Sequence, residues 1–102
     1  MEKFDYRNLD ALFHSRIRLA AVAALSKAGE MDFNDLKDVT GATAGNLTTH
    51  MRKLEDARYV DVEKSFQGRK PRTVYRLTDD GTRAFGVYVE NLAAFIGADK
   101  ES

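Results

Sequence analysis

Two stretches of this chain combine basic and hydrogen-bonding side chains without any acidic residue. The first, residues 41–54, contains His50, Arg52 and Lys53 beside four threonine or asparagine side chains. The second, residues 64–78, contains five bases: Lys64, Arg69, Lys70, Arg72 and Arg76. Arginine and lysine neutralise phosphates, and arginine, asparagine and threonine also hydrogen-bond base edges. One such stretch alone is usually an ordinary solvated surface, but two on one side of a fold favour a nucleic-acid partner.

Capping residues and glycines predict the helices that must position the first stretch. Ser15 caps a helix over residues 16–28, which Gly29 ends. Asp32 is a good N-cap for a second, short helix that Gly41 stops. The next helix follows after a turn of about three or four residues that contains a glycine, which is typical of a helix-turn-helix.

The third helix is predicted to run from its cap, Thr43, to about Ala57. Three of its apolar residues recur at i, i+4 and i+7: Leu47, Met51 and Leu54. These face the core, so the polar residues between them face outward. Gly45 lies in the first turn, where it either lets the helix approach DNA closely or is simply tolerated near the cap.

Beyond residue 59 the apolar period changes from 3.6 to 2, which predicts two strands. Val60 and Val62 mark the first strand, and Tyr75 and Leu77 mark the second. The loop between them, residues 67–71, is longer than a two-residue turn needs, so we expect its tip to project.

Thr78 caps a last helix that is predicted to reach about residue 98. One apolar stripe consists of Phe85, Val89, Leu92 and Ile96, and a neighbouring stripe contains Tyr88 and Phe95. One face can cover the domain's own core, whereas the second requires a partner. The alternative is a single broad buried face in a monomer.

Length and composition exclude several classes of protein. The 102 residues, of which 43% are hydrophobic and 31% charged, predict one domain with a radius of gyration of about 13 Å. Sixteen basic and sixteen acidic residues give zero net charge, so nucleic-acid binding must depend on where the charge lies. No cysteine, signal peptide or membrane span is found, which predicts a cytoplasmic protein. We expect no enzyme and no metal or other cofactor, because no nucleophile–base pair, carboxylate cluster or phosphate-binding glycine loop is present.

Three segments in this order resemble the winged helix-turn-helix transcriptional regulators of the MarR and ArsR superfamily, in their short single-domain form. They read LFHSRIRLAAVAAL, GEMDFNDLKDVTGATAGNLTTHMRKLEDARYVDVEKSF and GRKPRTVYRLTDDG. The resemblance implies an α+β, mostly helical fold with a two- to three-stranded β-wing and terminal dimerisation helices. The single domain, residues 1–102, then divides into a helix-turn-helix at about 32–57, a wing hairpin at 59–77 and a C-terminal helix at 79–98. One departure is Ala57-Arg58, where many relatives have glycine second, so we expect the turn there to differ.

The resemblance also implies function and site residues. It implies a transcriptional regulator that binds double-stranded DNA sequence-specifically and acts as a homodimeric repressor on a pseudo-palindromic operator. The resemblance leaves any small-molecule effector unidentified. The recognition helix would contact DNA through Thr43, Asn46, Thr48, Thr49, Arg52 and Lys53. The wing would contact it through Gln67, Arg69, Lys70 and Arg72. The dimer interface would contain Phe4, Leu9, Phe13, Tyr88, Leu92 and Phe95. The alternative is a winged helix that binds another protein and no DNA.

Overall fold

The helices and strands follow the predicted order, with one additional strand. The computed structural model describes residues 9–97. Its elements are a 3-10 turn (Ala11–Phe13), α1 (Arg16–Ala28), β1 (Glu30–Asp32), α2 (Phe33–Thr40), α3 (Ala44–Asp56), β2 (Val60–Gln67), β3 (Lys70–Leu77) and α4 (Asp79–Ile96). The α+β, mostly helical fold class is confirmed.

Side-chain caps fix where the four helices begin. Ser15, Asp32, Thr43 and Thr78 each have extended backbone, and each side-chain oxygen accepts an N–H from the first turn. These bonds satisfy donors that have no partner within the helix. Since all four caps are local features of the sequence, the predicted helix starts are correct.

The sheet has three antiparallel strands in the order β1-β3-β2. The short strand β1 pairs with the inner end of β3, so that Met31 lies opposite Tyr75. Three residues are too few to show a period of 2, so β1 was not recognised as a strand from the sequence. It gives the wing a third strand and ties it to the start of α2.

The predicted long hairpin loop is wrong. Gln67 pairs with Lys70, so the turn consists of Gly68 and Arg69 alone. Gly68 has a φ of +67°, the sign required at the first central position of a type II′ turn. The outer halves of both strands are polar and exposed, so backbone pairing continues where alternating burial no longer marks it.

The core lies between the helices and the inner half of the sheet. Residues from α1, α2, α3 and the strands are almost fully buried there: Val22, Leu25, Leu36, Leu47, Met51, Leu54 and Val60. The three apolar residues predicted to face inward from α3 are therefore confirmed.

The face that α4 turns to the core differs from the predicted stripe. Tyr88 is 6% exposed and belongs to the core cluster with partly buried Phe85 and Leu92, whereas Val89 and Ile96 are 47% and 67% exposed. The outer hairpin and the end of α4 lie beyond the core. The radius of gyration is accordingly 15.4 Å, larger than predicted.

Candidate nucleic-acid interface

A tight turn sets α3 against α2. Gly41 ends α2 with left-handed backbone (φ 70°), and its N–H donates to the Lys37 carbonyl. Thr43 then caps α3 by accepting the Asn46 N–H at 3.2 Å. Because Leu47 is fully buried below this turn, the opposite face of α3 points outward.

Every residue predicted for the recognition helix is solvent-exposed: Thr43, Asn46, Thr48, Thr49, Arg52 and Lys53. Asn46, Thr49 and Lys53 follow one another at three- and four-residue spacing and line one side of the exposed face. Thr48 and Arg52 line the adjoining side. The helix thus presents one amide, two hydroxyls and two cations together.

The two threonine hydroxyls are partly occupied. Thr48 donates its hydroxyl to the Ala44 carbonyl at 2.9 Å, and Thr49 donates to the Gly45 carbonyl at 3.1 Å. Each therefore presents a methyl group and free oxygen lone pairs in its present rotamer. Asn46 is consequently the better candidate for two-point readout of a base edge.

His50 attaches α3 to α1. Its Nδ1 lies 2.8 Å from the Arg18 guanidinium, whose Nε also donates to the Leu12 carbonyl at 2.6 Å. Arginine only donates, so His50 must be a neutral acceptor at Nδ1. Burial lowers the pKa of His50, and the charges of Arg18 and Lys53 lower it further. His50 therefore has a structural role, in which it joins α3 to α1.

The wing offers fewer free cations than its sequence implies. Arg76 lies 2.8 Å from Glu30 and 3.3 Å from Glu63, so its charge is balanced by acids of β1 and β2. Arg72 lies 3.9 Å from Asp32, the cap of α2.

Three of the five wing bases are exposed and form no ion pair within residues 9–97: Lys64, Arg69 and Lys70. Arg69 lies in the two-residue turn, and exposed Gln67 pairs with Lys70 across it. The free positive charge is thus concentrated at the tip of the hairpin. Among the predicted wing residues within residues 9–97, Arg72 is the one whose charge is partly balanced by an acid, Asp32.

Residues 57–59 join the recognition helix α3 to the first strand of the wing, β2. Arg58 has a φ of 65°, so left-handed backbone is retained there without glycine, and the expected change in the turn is wrong. The Arg58 N–H donates to the Glu55 carbonyl and the Tyr59 N–H to the Leu54 carbonyl, both at 2.9 Å. This pair of bonds is a Schellman motif, which closes the helix end.

Tyr59 fixes this junction to the rest of the domain. Its hydroxyl donates to Asp10 at 2.5 Å, and its ring stacks on Phe13 at a centroid distance of 5.7 Å. The hydrogen bond to Asp10, together with burial, raises the pKa of Tyr59 to about 12. Its carbonyl accepts the N–H of Thr78 at 3.0 Å, which places α4 beside the same residue.

The residues predicted for a dimer interface have different environments. Phe4 lies outside the described residues. Phe13 and Tyr88 are 1% and 6% exposed in the protomer's own core, while Leu9 and Leu92 are half-buried against it. Phe95 is 55% exposed and leaves apolar surface for another molecule.

Sequence reasoning did not assign three further exposed apolar residues of α4 to the interface: Val87, Val89 and Ile96. Their exposure follows from the helix register, which could be set only once Tyr88 was placed in the core. Within residues 9–97, no three histidine or acidic side chains are grouped so that they could hold a metal ion. In the same range no helix has the length and apolar character to cross a membrane.

Comparison with known proteins agrees with this geometry. A model of the winged helix DNA-binding domain matches residues 17–96. An uncharacterized protein of Methanocaldococcus jannaschii is 33% identical over 78 residues, 76% of this chain and 85% of the relative. A transcriptional regulator homologue from Pyrococcus horikoshii OT3 is 30% identical with a TM-score of 0.80, covering 89% of this chain and 91% of that one.

More distant structures share the fold. YodB from B. subtilis is 19% identical with a TM-score of 0.73, over 90% of this chain and 89% of its own. AbfR, solved bound to DNA, is 18% identical with a TM-score of 0.74, over 88% and 65%. The predicted resemblance to winged helix-turn-helix transcriptional regulators is confirmed, and this family is non-enzymatic. The chain belongs to the winged helix DNA-binding domain family of transcription regulators.

Proposed function

We propose that this protein is a cytoplasmic homodimer that represses transcription by occupying a pseudo-palindromic operator in double-stranded DNA. In this proposal α3 enters the major groove and the wing tip binds the neighbouring backbone. Asn46 would read a base edge, and Arg52 and Lys53 would hold phosphates or a guanine. Occupancy alone blocks a promoter, so repression requires no further contact with polymerase.

The observation that carries the proposal is the distribution of free charge. The exposed face of α3 contains two cations, Arg52 and Lys53, and no acid before Glu55. The outer hairpin contains Lys64, Arg69 and Lys70 and no acid. A protein of zero net charge thereby presents a locally positive surface that complements phosphate.

The exposed end of α4 supports a dimer. Phe95 and Ile96 are 55% and 67% exposed, and Val87 and Val89 about half exposed, on one helix. A two-fold axis beside α4 would bury these exposed apolar side chains against the same residues of a second copy. The two recognition helices would then lie about 34 Å apart, one turn of DNA.

Salt dependence of binding tests the DNA contact. If a dimer neutralises about six phosphates, log K should fall with log salt concentration at a slope near −5. Lys70→Gln should reduce the steepness by about 1.8, because each of two protomers loses one phosphate contact worth about 0.9.

Arg76→Gln is the matched control. It changes net charge by the same amount, but the charge removed is already paired with Glu30 and Glu63. We expect its slope to stay near that of the unmodified protein. Equal slopes for both variants, or no salt dependence at all, would contradict a phosphate contact at the wing tip.

Two further measurements separate the parts of the proposal. Selection from random duplexes should yield a pseudo-palindrome, and Asn46→Ala should change which bases are preferred. Sedimentation should give about twice the 11.4 kDa of one chain. A monomer at micromolar concentration would remove the two-fold operator from the proposal.

A further inference from the structure

The outer hairpin contains an aromatic side chain that the protomer does not use. Phe66 is 74% exposed, more than any other large hydrophobic residue among residues 9–97. Its cross-strand neighbour is Pro71, which is also exposed. The two form a small apolar patch one residue pair from the turn.

Strand register shows which face of the hairpin this patch occupies. Phe66 alternates with Lys64 and Val62, and Val62 lies opposite Tyr75. Tyr75 is buried in the core and Val62 packs against it. Phe66 is therefore on the core-facing side of the sheet, but it lies four residue pairs beyond Val62 and Tyr75. Folding of the protomer does not account for an aromatic residue there, because nothing in the described chain covers it.

The surroundings of Phe66 are positively charged. Lys64 lies two residues away on the same face, and Arg69 and Lys70 form the adjoining turn and the start of β3. No acidic residue occurs between positions 64 and 78. An apolar group among free cations complements a surface that is apolar at its centre and anionic at its edges. The minor groove of DNA has this character, with sugars and base edges between two rows of phosphates.

We propose that Phe66, backed by Pro71, enters the minor groove beside the site of α3 and packs against sugars and base edges. Arg69 and Lys70 hold the flanking phosphates and set the depth of entry. This inference rests on the proposed DNA-binding function and adds an apolar contact to it. The proposed partner of this patch is duplex DNA; binding of a second copy of the chain or of another protein is the competing outcome.

The first test compares DNA affinity with its salt dependence. Phe66→Ala should weaken operator binding about ten-fold, equivalent to about 1.4 kcal/mol. The salt slope should not change, since no charge is removed. Phe66→Leu should retain most of the affinity. Val39→Ala is the control, because it removes a 54% exposed apolar side chain from α2 and should leave affinity unchanged.

The second test locates the contact. Hydroxyl-radical footprinting should show that Phe66→Ala loses protection of minor-groove sugars beside the α3 site while protection elsewhere is retained. Thermal unfolding of the variant should match the unmodified protein, because the side chain is exposed.

Three results would contradict different parts of these proposals. Unchanged affinity for Phe66→Ala, with weaker binding for Lys70→Gln, would overturn the apolar contact and leave the proposed function intact. A lower sedimenting mass for Phe66→Ala would overturn it in favour of a second copy. Failure of the unmodified protein to bind any duplex at low salt would remove the proposed function itself.

Discussion

Two glycines of α4 allow one substitution to be compared in opposite surroundings. Gly81 is buried in the first turn, and a Cβ there would overlap the carbonyl oxygen of Tyr59 and lie 2.9 Å from its carbonyl carbon. Gly86 is exposed in the same helix, and a Cβ there would meet nothing within 4 Å. Neither glycine has a positive φ, so space alone distinguishes them.

Gly81→Ala should strongly destabilise the protein. The start of α4 must move away from Tyr59 by about 1 Å to restore van der Waals separation. This movement opposes the 3.0 Å hydrogen bond from the Thr78 N–H to the Tyr59 carbonyl. Overpacking costs about 1–3 kcal/mol and the bond about 1 kcal/mol, so we expect a loss of about 2–4 kcal/mol. For a domain of this size Tm should fall by about 10–25 °C.

Gly86→Ala should have the opposite effect. Alanine in an exposed helix interior is favoured over glycine by about 1 kcal/mol, so Tm should rise by about 4–8 °C. Urea unfolding followed by circular dichroism, at one protein concentration for all variants, measures both changes. A Gly81→Ala variant as stable as the unmodified protein, or a shift of stability in the same direction for both substitutions, would refute the predicted steric clash.

Three further predictions concern the recognition helix and its junction with the wing. Arg58→Gly should raise the free energy of unfolding by about 1 kcal/mol, because glycine removes the cost of left-handed backbone; Arg58→Ala should give no such gain, and equal effects in urea unfolding would refute the argument. Gly45→Ala has open space for its Cβ and should stabilise α3 by up to about 1 kcal/mol while weakening operator binding. Unchanged affinity in a gel shift would show that this glycine is merely tolerated. Because the pKa of His50 is lowered by burial and by nearby Arg18 and Lys53, the folded state binds fewer protons than the unfolded state below pH 6.5. Stability should therefore fall as pH drops from 6.5 towards the folded-state pKa. His50→Gln, which still accepts from Arg18, should reduce that dependence in urea unfolding at several pH values, and an unaltered pH profile would contradict it.

Helix boundaries could be predicted because their determinants are local. Ser15, Asp32, Thr43 and Thr78 each cap the helix that begins beside them. The outward face of α3 could also be predicted from the sequence, because the exposed residues of a helix lie opposite its apolar stripe.

Features that depend on distant pairing could not be predicted. The charge of Arg76 is balanced by Glu30, 46 positions earlier, and by Glu63, 13 positions earlier. Only the sheet order brings these side chains together. The two-residue turn at Gly68 depends likewise on backbone pairing between exposed strands. Tyr88 could not be assigned to the core before the orientation of α4 was known.

The connection between α3 and β2 has a consequence for how a signal could act on this protein. Residues 57–59 bridge the two elements, and their N–H groups are all hydrogen-bonded within the domain. Tyr59 is attached in addition to Asp10 and to the start of α4. The helix α3 and the wing therefore form one rigid unit, in which neither element can readily bend relative to the other. In a dimer of the proposed kind, an inducing signal would change the distance or angle between the α3–wing units of the two protomers. A matching change in the spacing of the operator half-sites would then restore binding.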